Sequence, residues 1–200
     1  ALSDHLTGRD ANRGGCAHSC RWTYTLQKGG VPLSDEPFSM SSRDLEALSA
    51  IPDLVKAGVH SLKIEGPMKS LHYIATVVRT YREAIDAATN GGPYPLDTLR
   101  ESLQKAENRL TGPGFLEGFP GPEAQLFGNL GEQPSQAFIG IVRAYDPKSK
   151  KAIIEQRNKF WTGTEAEVFN PDGTRTVFSI GTIRTEDGDV VESAPHPRQM

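Results

Sequence analysis

Val59-His-Ser-Leu-Lys-Ile-Glu-Gly66, followed beyond Pro67 by the long run from Leu71 to Ala88, decides the fold class of this chain. The first piece reads as a compact strand over residues 59–64, broken by Gly66 and Pro67. The second predicts a helix over 71–88. Its apolar positions Leu71, Ile74, Val77, Val78, Tyr81, Ala84, Ile85 and Ala88 recur at spacings of three and four. Working upstream, Phe38-Ser-Met40 predicts a short strand, and Ser41-x-x-Asp44 resembles a capping signature that opens a helix reaching about Ala50. Pro52 suits the first turn of a second helical piece, which Gly58 ends. Downstream, Pro95 starts a helix with Leu96, Leu99, Leu103, Ala106 and Leu110 along one stripe. Strand–loop–helix units of this kind imply parallel strands with helices packed outside, an α/β architecture.

The pattern changes after that. Thr111-Gly-Pro-Gly-Phe115-Leu-Glu-Gly-Phe119-Pro-Gly-Pro122 is too rich in glycine and proline for a regular element and reads as a loop leading into a linker. From Gln136 the chain reads as all-β, with short strands at 138–142, 152–155, 165–169, 176–180 and 189–191. Asp146-Pro-Lys, Asn170-Pro-Asp-Gly173 and Glu186-Asp-Gly188 are the turn signals between them. Strands at such spacing predict a small closed barrel. The expected organisation is therefore 1–118, a linker over 119–134, and a second domain over 135–200. Ala1 is not preceded by Met, and Met200 leaves no room for a closing strand, so truncation at both ends is expected.

Composition narrows the class further. No apolar run approaches the ~18 residues of a membrane span, and nothing resembles a signal peptide. Two cysteines four residues apart make no disulfide framework, which favours an intracellular, cytoplasmic protein whose thiols are ligands, reactive groups or bystanders. A net charge of −3 argues against a surface coated with nucleic acid. Charge is uneven, however: residues 1–30 hold Arg9, Arg13, Arg21 and Lys28 against Asp4 and Asp10, so any anion site is local.

The densest chemistry lies in Leu6-Thr-Gly-Arg-Asp-Ala-Asn-Arg-Gly-Gly-Cys16-Ala-His-Ser-Cys20-Arg-Trp22. Cys16 and Cys20 are soft ligands for zinc or for iron–sulfur iron, but a pair does not fill a four-ligand site; the alternative is a pair of plain thiols. Arg9 and Arg13 have the fork geometry that binds carboxylate or phosphate, with Asp10 placed to orient one of them; the alternative is a surface turn with a weak ion pair. Lys63 and Glu65, two apart on the predicted strand, share a face at its C-terminal end, where parallel α/β folds keep their active sites. That pair reads either as catalytic, binding an anion or relaying a proton, or as a structural ion pair. Lys69 extends the same basic rim or decorates the surface.

The first motif, together with Met40-x-Ser-x-Asp44-Leu, Leu62-Lys-Ile-Glu-Gly66-x-Met-Lys-Ser70, Tyr81-Arg-Glu-Ala-Ile85, Asn108-Arg-x-Thr-Gly-x-Gly-Phe115 and Ala194-Pro-His-Pro197, closely resembles the U32 family of collagenase-like peptidases. The resemblance covers essentially the whole chain. It implies the C-terminal part of a TIM-type (β/α) barrel followed by a small β-barrel similar to domain two of elongation factors. Relatives in the family include oxygen-independent hydroxylases of the tRNA wobble uridine, which use prephenate, and of ribosomal RNA cytidine and ubiquinone precursors. In several of them four cysteines hold an iron–sulfur cluster. Cys16 matches one ligand, and two others precede the Gly-Arg-Asp motif. This chain departs from the pattern twice, with Glu46 where many relatives carry a cysteine and Pro67 where an arginine is usual.

The resemblance therefore implies an RNA-modifying enzyme as the full-length parent, hydroxylating tRNA with prephenate as co-substrate and an iron–sulfur cluster whose other ligands lie upstream of Ala1. Lys63 and Glu65 are expected to be catalytic. Arg9, Asp10, Arg13 and Lys69 are expected to bind substrate, and Cys16 and Cys20 to bind metal. Its partners are tRNA or another RNA and a possible second subunit, with no membrane. The alternatives are a collagenase-like peptidase acting on peptides and a non-catalytic RNA-binding fragment; this stretch alone is expected to be inactive. No serine-centred elbow and no His-Glu-x-x-His motif supports proteolysis. Lys148, Lys150, Lys151, Arg157 and Lys159, with Phe160 and Trp161, form the best basic–aromatic patch for RNA, in a segment 135–200 whose nine basic and nine acidic side chains otherwise balance. The plainer reading of that cluster is a hairpin turn plus a core aromatic.

Overall fold

The computed structural model describes residues 2–35, 37–66, 69–106, 109–126, 137–170 and 174–194. Pro67, Asn108, part of the expected linker (127–134), the turn at 171–173 and the Pro-His-Pro at 195–197 lie outside the described residues. The architecture mixes helices with small two-stranded sheets. It divides into two compact units, one of residues 1–65 and 81–134, the other of 66–80 and 135–200.

The first unit begins with the short helix α1 (Leu2–Thr7), then a hairpin of β1 (Gln27–Lys28) and β2 (Val31–Pro32). Next comes β3 (Asp44–Leu45), a 3₁₀ turn at Leu48–Ala50 and helix α2 (Ile51–Lys56). Residues 44–45 are not the helix that Ser41-x-x-Asp44 predicts. The amide of Asp44 donates to the Leu110 carbonyl at 3.0 Å and that of Glu46 to Gly112 at 2.8 Å, so a distant segment takes the donors a helix would have used. The cap comes from Glu46 instead: its Oε1 accepts from the Leu48 amide at 2.9 Å, and its Oε2 meets Arg100 Nε at 3.3 Å. Helix α2 follows the expectation, with Pro52 in its first turn and Gly58 in the left-handed region at φ 78°. The Val59 amide closes that end on the Leu54 carbonyl.

Residues 59–64 do not form the predicted strand. Val59, Leu62 and Ile64 are exposed, and the segment enters no ladder with any described residue. A strand exists only where a neighbour takes its amides and carbonyls, and apolar composition alone does not supply one.

Helix α3 (Leu71–Asn90) is the longest element; residues 71–80 belong to the second unit and 81–90 to the first. Its buried positions are Thr76, Val77, Thr80 and Ala84, while Leu71, Ile74 and Val78 are exposed. The stripe in contact is thus rotated from the most apolar one, and two threonines sit inside it; Thr80 Oγ1 donates back to the Thr76 carbonyl at 2.8 Å. Helix α4 (Leu96–Gln104), shorter than predicted, buries Leu99 and Leu103. Strand β4 (Thr111–Gly112), inside the stretch read as loop, pairs in parallel with β3. Leu48 and Ile51, both fully buried, anchor this unit, and the Tyr94 hydroxyl donates to the Leu48 carbonyl at 2.7 Å.

The second unit is antiparallel. Strands β5 (Gly140–Asp146) and β6 (Lys151–Gln156) form a hairpin with an irregularity between Val142 and Ala144. Then come β7 (Phe160–Trp161), β8 (Glu165–Phe169), β9 (Arg175–Ser179), β10 (Ile183–Arg184), β11 (Val190–Val191) and β12 (Ser193–Ala194). The ladders are β5–β6, β8–β9, β10–β11 and β7–β12, each two-stranded among the described residues. Phe160, Ala166 and Val77 are buried here, and the buried Gln156 side chain ties β6 to the Ala194 carbonyl.

Candidate functional site

The Gly-Arg-Asp-to-Cys motif folds as one self-braced loop around Ser3. That residue, buried on α1, places its Oγ 3.7 Å from Cys16 Sγ and 3.4 Å from Ser19 Oγ, and accepts from the Ala17 amide at 3.0 Å. Asp4 Oδ1 holds the Ala11 amide at 2.8 Å. Asp10 caps the 3₁₀ turn Ala11–Arg13 by accepting from the Asn12 amide at 3.0 Å, and its other oxygen meets Arg13 Nε at 3.2 Å. The Gly15 amide returns to the Asp10 carbonyl at 2.8 Å, so close that a Cβ at Gly15 would stand 2.7 Å from that oxygen. Only glycine fits there.

This loop prepares Cys16 chemically. Its Sγ accepts from the main-chain amide of His18 at 3.4 Å. That bond, then the contact with Ser3, then the positive field of Arg9 and Arg21, together hold the thiol below its ordinary pKa despite some desolvation. A lowered pKa means more thiolate, the form that binds metals and attacks electrophiles. Cys20 begins four residues later, in the 3₁₀ turn Ser19–Arg21; its carbonyl accepts from Ser39 Oγ at 3.2 Å, tying the loop to the segment before β3. Both thiols are free and exposed. A four-iron cluster takes four thiolates. The thiolate-favouring surroundings of Cys16 suit such a group, but among the described residues no three or more His, Cys, Asp or Glu side chains gather as a metal site. These residues do not by themselves hold a cluster. Glu46 is committed to the Leu48 amide and to Arg100.

Lys63 and Glu65 meet as an exposed ion pair at 2.7 Å, although not on the strand whose periodicity predicted a shared face. The hydrogen bond and charge of Glu65 raise the Lys63 pKa, so the ammonium stays charged. Lys69 lies with the second unit, its Nζ 5.0 Å from the Tyr73 ring centroid. Thus Arg9, Asp10, Arg13 and Cys16 share one loop, while Lys63 and Glu65 pair with each other. A cavity of about 260 Å³ lies beside the β1–β2 hairpin, lined by Thr23, Tyr24, Thr25, Pro32, Ser34 and Asp35; it includes none of the predicted site residues.

Sequence reasoning missed Ser3 and the ladder clamp. Arg109 Nη1 meets Asp44 Oδ1 at 3.1 Å across 65 residues, with side chains 10% and 25% exposed. Two motifs read separately, Met40-x-Ser-x-Asp44 and Arg109-x-Thr111-Gly, are therefore one structure, the β3–β4 ladder. A Cβ at Gly114 would stand 3.0 Å from Leu45 Cδ1, so this second motif packs closely on the first.

Comparison with known proteins also divides the chain in two by sequence, with residues 66–80 falling in the first part rather than the second. Residues 1–126 match the model of peptidase family U32, and residues 134–200 match that of the peptidase family U32 C-terminal domain. The tRNA hydroxylation protein P1 of Bacillus subtilis (strain 168) is 43% identical over 208 residues, covering 100% of this chain and 49% of that protein. A collagenase of Porphyromonas gingivalis is 43% identical over 122 residues, covering 59% of this chain and 32% of its own. Among solved structures, the C-terminal domain of a Geobacillus thermoleovorans protein described as a U32 peptidase is 40% identical, with a TM-score of 0.30 over 31% of this chain and 70% of that one. The chain spans about half the length of the tRNA hydroxylation proteins of Bacillus subtilis and Escherichia coli that it matches.

Proposed function

The chain belongs to peptidase family U32, and from that membership we propose that it is part of an RNA-modifying enzyme that hydroxylates the wobble uridine of tRNA without molecular oxygen. The observation that carries this reading is the 43% identity to a tRNA hydroxylation protein across the entire chain. The collagenase match covers 59% of it. Proteolysis is also disfavoured by the thiol's surroundings: Cys16 receives the main-chain amide of His18 rather than an imidazole, so no thiol–imidazole couple stands there to activate it.

In this reading, residues 1–118 are the C-terminal part of a TIM-type barrel, 119–134 a linker and 135–200 a small elongation-factor-like β-barrel. The parallel β3–β4 ladder, with helices between its strands, and the antiparallel ladders of the second unit support that division. Cys16 is the candidate cluster ligand, with Cys20 beside it and the remaining ligands in the length of the relatives that this chain does not span. The cluster would supply electron transfer. Arg9 and Arg13 offer guanidinium forks to the two carboxylates of prephenate, with Asp10 orienting Arg13. Lys63, kept protonated by Glu65, offers a further cation, and Glu65 is the group placed to hold or move a proton; Lys69 is a candidate phosphate contact.

The test is mass spectrometry of tRNA from a strain lacking the full-length gene. Loss of the hydroxylated wobble uridine, restored by the wild-type gene but not by Cys16→Ala or Glu65→Gln, is expected. An unchanged modification profile in the deletion strain overturns the reading. Gelatin hydrolysis by the pure protein, abolished by Glu65→Gln, would establish the peptidase instead.

A further inference from the structure

The β5–β6 hairpin carries a surface that the site above does not use. Residues 142–153 are exposed without interruption, on both faces of the ribbon. A two-stranded ribbon normally covers one face, so this one projects from its unit. Val142, Tyr145 and Ile153 lie open along it, Tyr145 at 60% exposure. Between Arg143 and Lys151 the arm holds four basic side chains against one carboxylate, Asp146.

The geometry removes that carboxylate from play and leaves the lysines outward. Asp146 is turned back into its own loop, accepting from the amides of Lys148 at 3.0 Å and Ser149 at 3.3 Å and from Ser149 Oγ at 2.6 Å. Lys150 holds φ at 55°, which tightens the turn. Arg143 is taken by Glu155, its Nε at 2.7 Å. Lys148, Lys150 and Lys151 form no ion pair with any described residue. Tyr145 sits one ladder pair from the tip, opposite Ala152 and beside the Asp146–Lys151 pair, about 3.4 Å along the strand. The rest of the basic–aromatic patch divides differently. Phe160 is buried in the core, Arg157 pairs with Glu155, and Lys159 lies over the exposed Trp161 ring at 5.1 Å.

We infer that the β5–β6 hairpin is an RNA-contacting arm, in which Lys148, Lys150 and Lys151 neutralise backbone phosphates and Tyr145 stacks on a base. This rests on the reading of the substrate as RNA. Charge complementarity favours a polyanion over a protein partner, because protein interfaces are depleted in lysine. A rigid turn presenting ammonium groups beside an open aromatic ring combines the two contacts that single-stranded or loop RNA offers, phosphate and base face.

The test is fluorescence anisotropy of labelled, unmodified tRNA with the full chain across a salt series. Each lost phosphate contact flattens the slope of log K against log salt by about 0.7–0.9. The triple variant Lys148→Gln, Lys150→Gln, Lys151→Gln is therefore expected to flatten it by about 2–3. The triple Lys→Arg variant should retain the wild-type slope. Tyr145→Ala should weaken binding about tenfold at unchanged slope. A charge-matched control, Lys28→Gln with Lys56→Gln and Lys105→Gln, should leave the slope as it was. If the wild-type chain binds tRNA while the hairpin variants bind equally well, or the control flattens the slope as much, the arm is refuted and the RNA reading stands. If the wild-type chain fails to bind tRNA at every salt concentration, the RNA reading itself falls, and the arm with it.

Discussion

Removing the Asp44 carboxylate should loosen the β3–β4 ladder by a measurable and local amount. Asp44→Ala leaves Arg109, only 10% exposed, beside a vacated partner 3.1 Å away. At an effective dielectric near 20 the pair is worth about 5 kcal/mol before desolvation. Breaking a fully buried pair costs about 3–5 kcal/mol, and Asp44 is partly wet, so the expected loss is about 2–3 kcal/mol. The amides of Asp44 and Glu46 donate across this ladder and report on it directly. Hydrogen exchange at those two amides should accelerate about 30- to 160-fold, since each 1.36 kcal/mol is a factor of ten. A double-mutant cycle with Arg109→Met should return a coupling of about 1–2 kcal/mol. Coupling below about 0.3 kcal/mol, with protection unchanged at both amides, would show that the ion pair does not clamp the ladder.

Other perturbations test the remaining parts. Leu48→Ala, at a fully buried position, should cost about 2–5 kcal/mol by urea unfolding, and a loss under about 1 kcal/mol would contradict the core assignment. Alkylation of Cys16 by iodoacetamide should reach half its maximal rate below the ordinary thiol value of 9.0, and Ser3→Ala should move that midpoint upward by removing one hydrogen-bonding partner; identical profiles would refute the loop's role. Gly15→Ala should disturb the loop through its clash with the Asp10 carbonyl, seen as a changed Cys16 alkylation rate at unchanged helicity. Burial pushes the Tyr94 hydroxyl up from 10.0 to about 12. Its folded pKa being raised, the stability it carries is complete below pH 10 and declines as pH climbs toward 12. Alkaline unfolding followed by circular dichroism should lose that component in Tyr94→Phe, and an unaltered pH dependence would count against it.

The sequence was most legible where structure is local. Pro52 and Gly58 bracket α2, the Asp146 and Glu186 turns mark hairpins, and strand 165–169 appears with the predicted bounds, because each depends on neighbours within a few residues. Legibility failed where the deciding partner is remote. Ser41-x-x-Asp44 has the grammar of a helix start, yet Leu110 and Gly112 claim the amides first. Residues 59–64 have strand composition but no ladder partner among the described residues. On α3 the most apolar stripe and the buried stripe differ: Thr76 and Thr80 lie inside, and Thr80 returns its hydroxyl to the Thr76 carbonyl. In the site, the arginines, Asp10 and the thiols were readable as chemistry. Ser3 was not, because its value comes from a loop that folds back over it.

The β3–β4 ladder also has a kinetic meaning. Its clamp spans 65 residues, whereas the β5–β6 hairpin closes over a four-residue turn. By loop-closure entropy the longer span starts about 2.5 kcal/mol behind. The hairpins of the second unit can therefore form on a timescale of microseconds, while the ladder waits for chain encounter across α2, α3 and α4. During refolding, Asp44 and Arg109 should be among the last residues to find each other. Substitutions there should then speed unfolding while leaving the folding rate almost untouched.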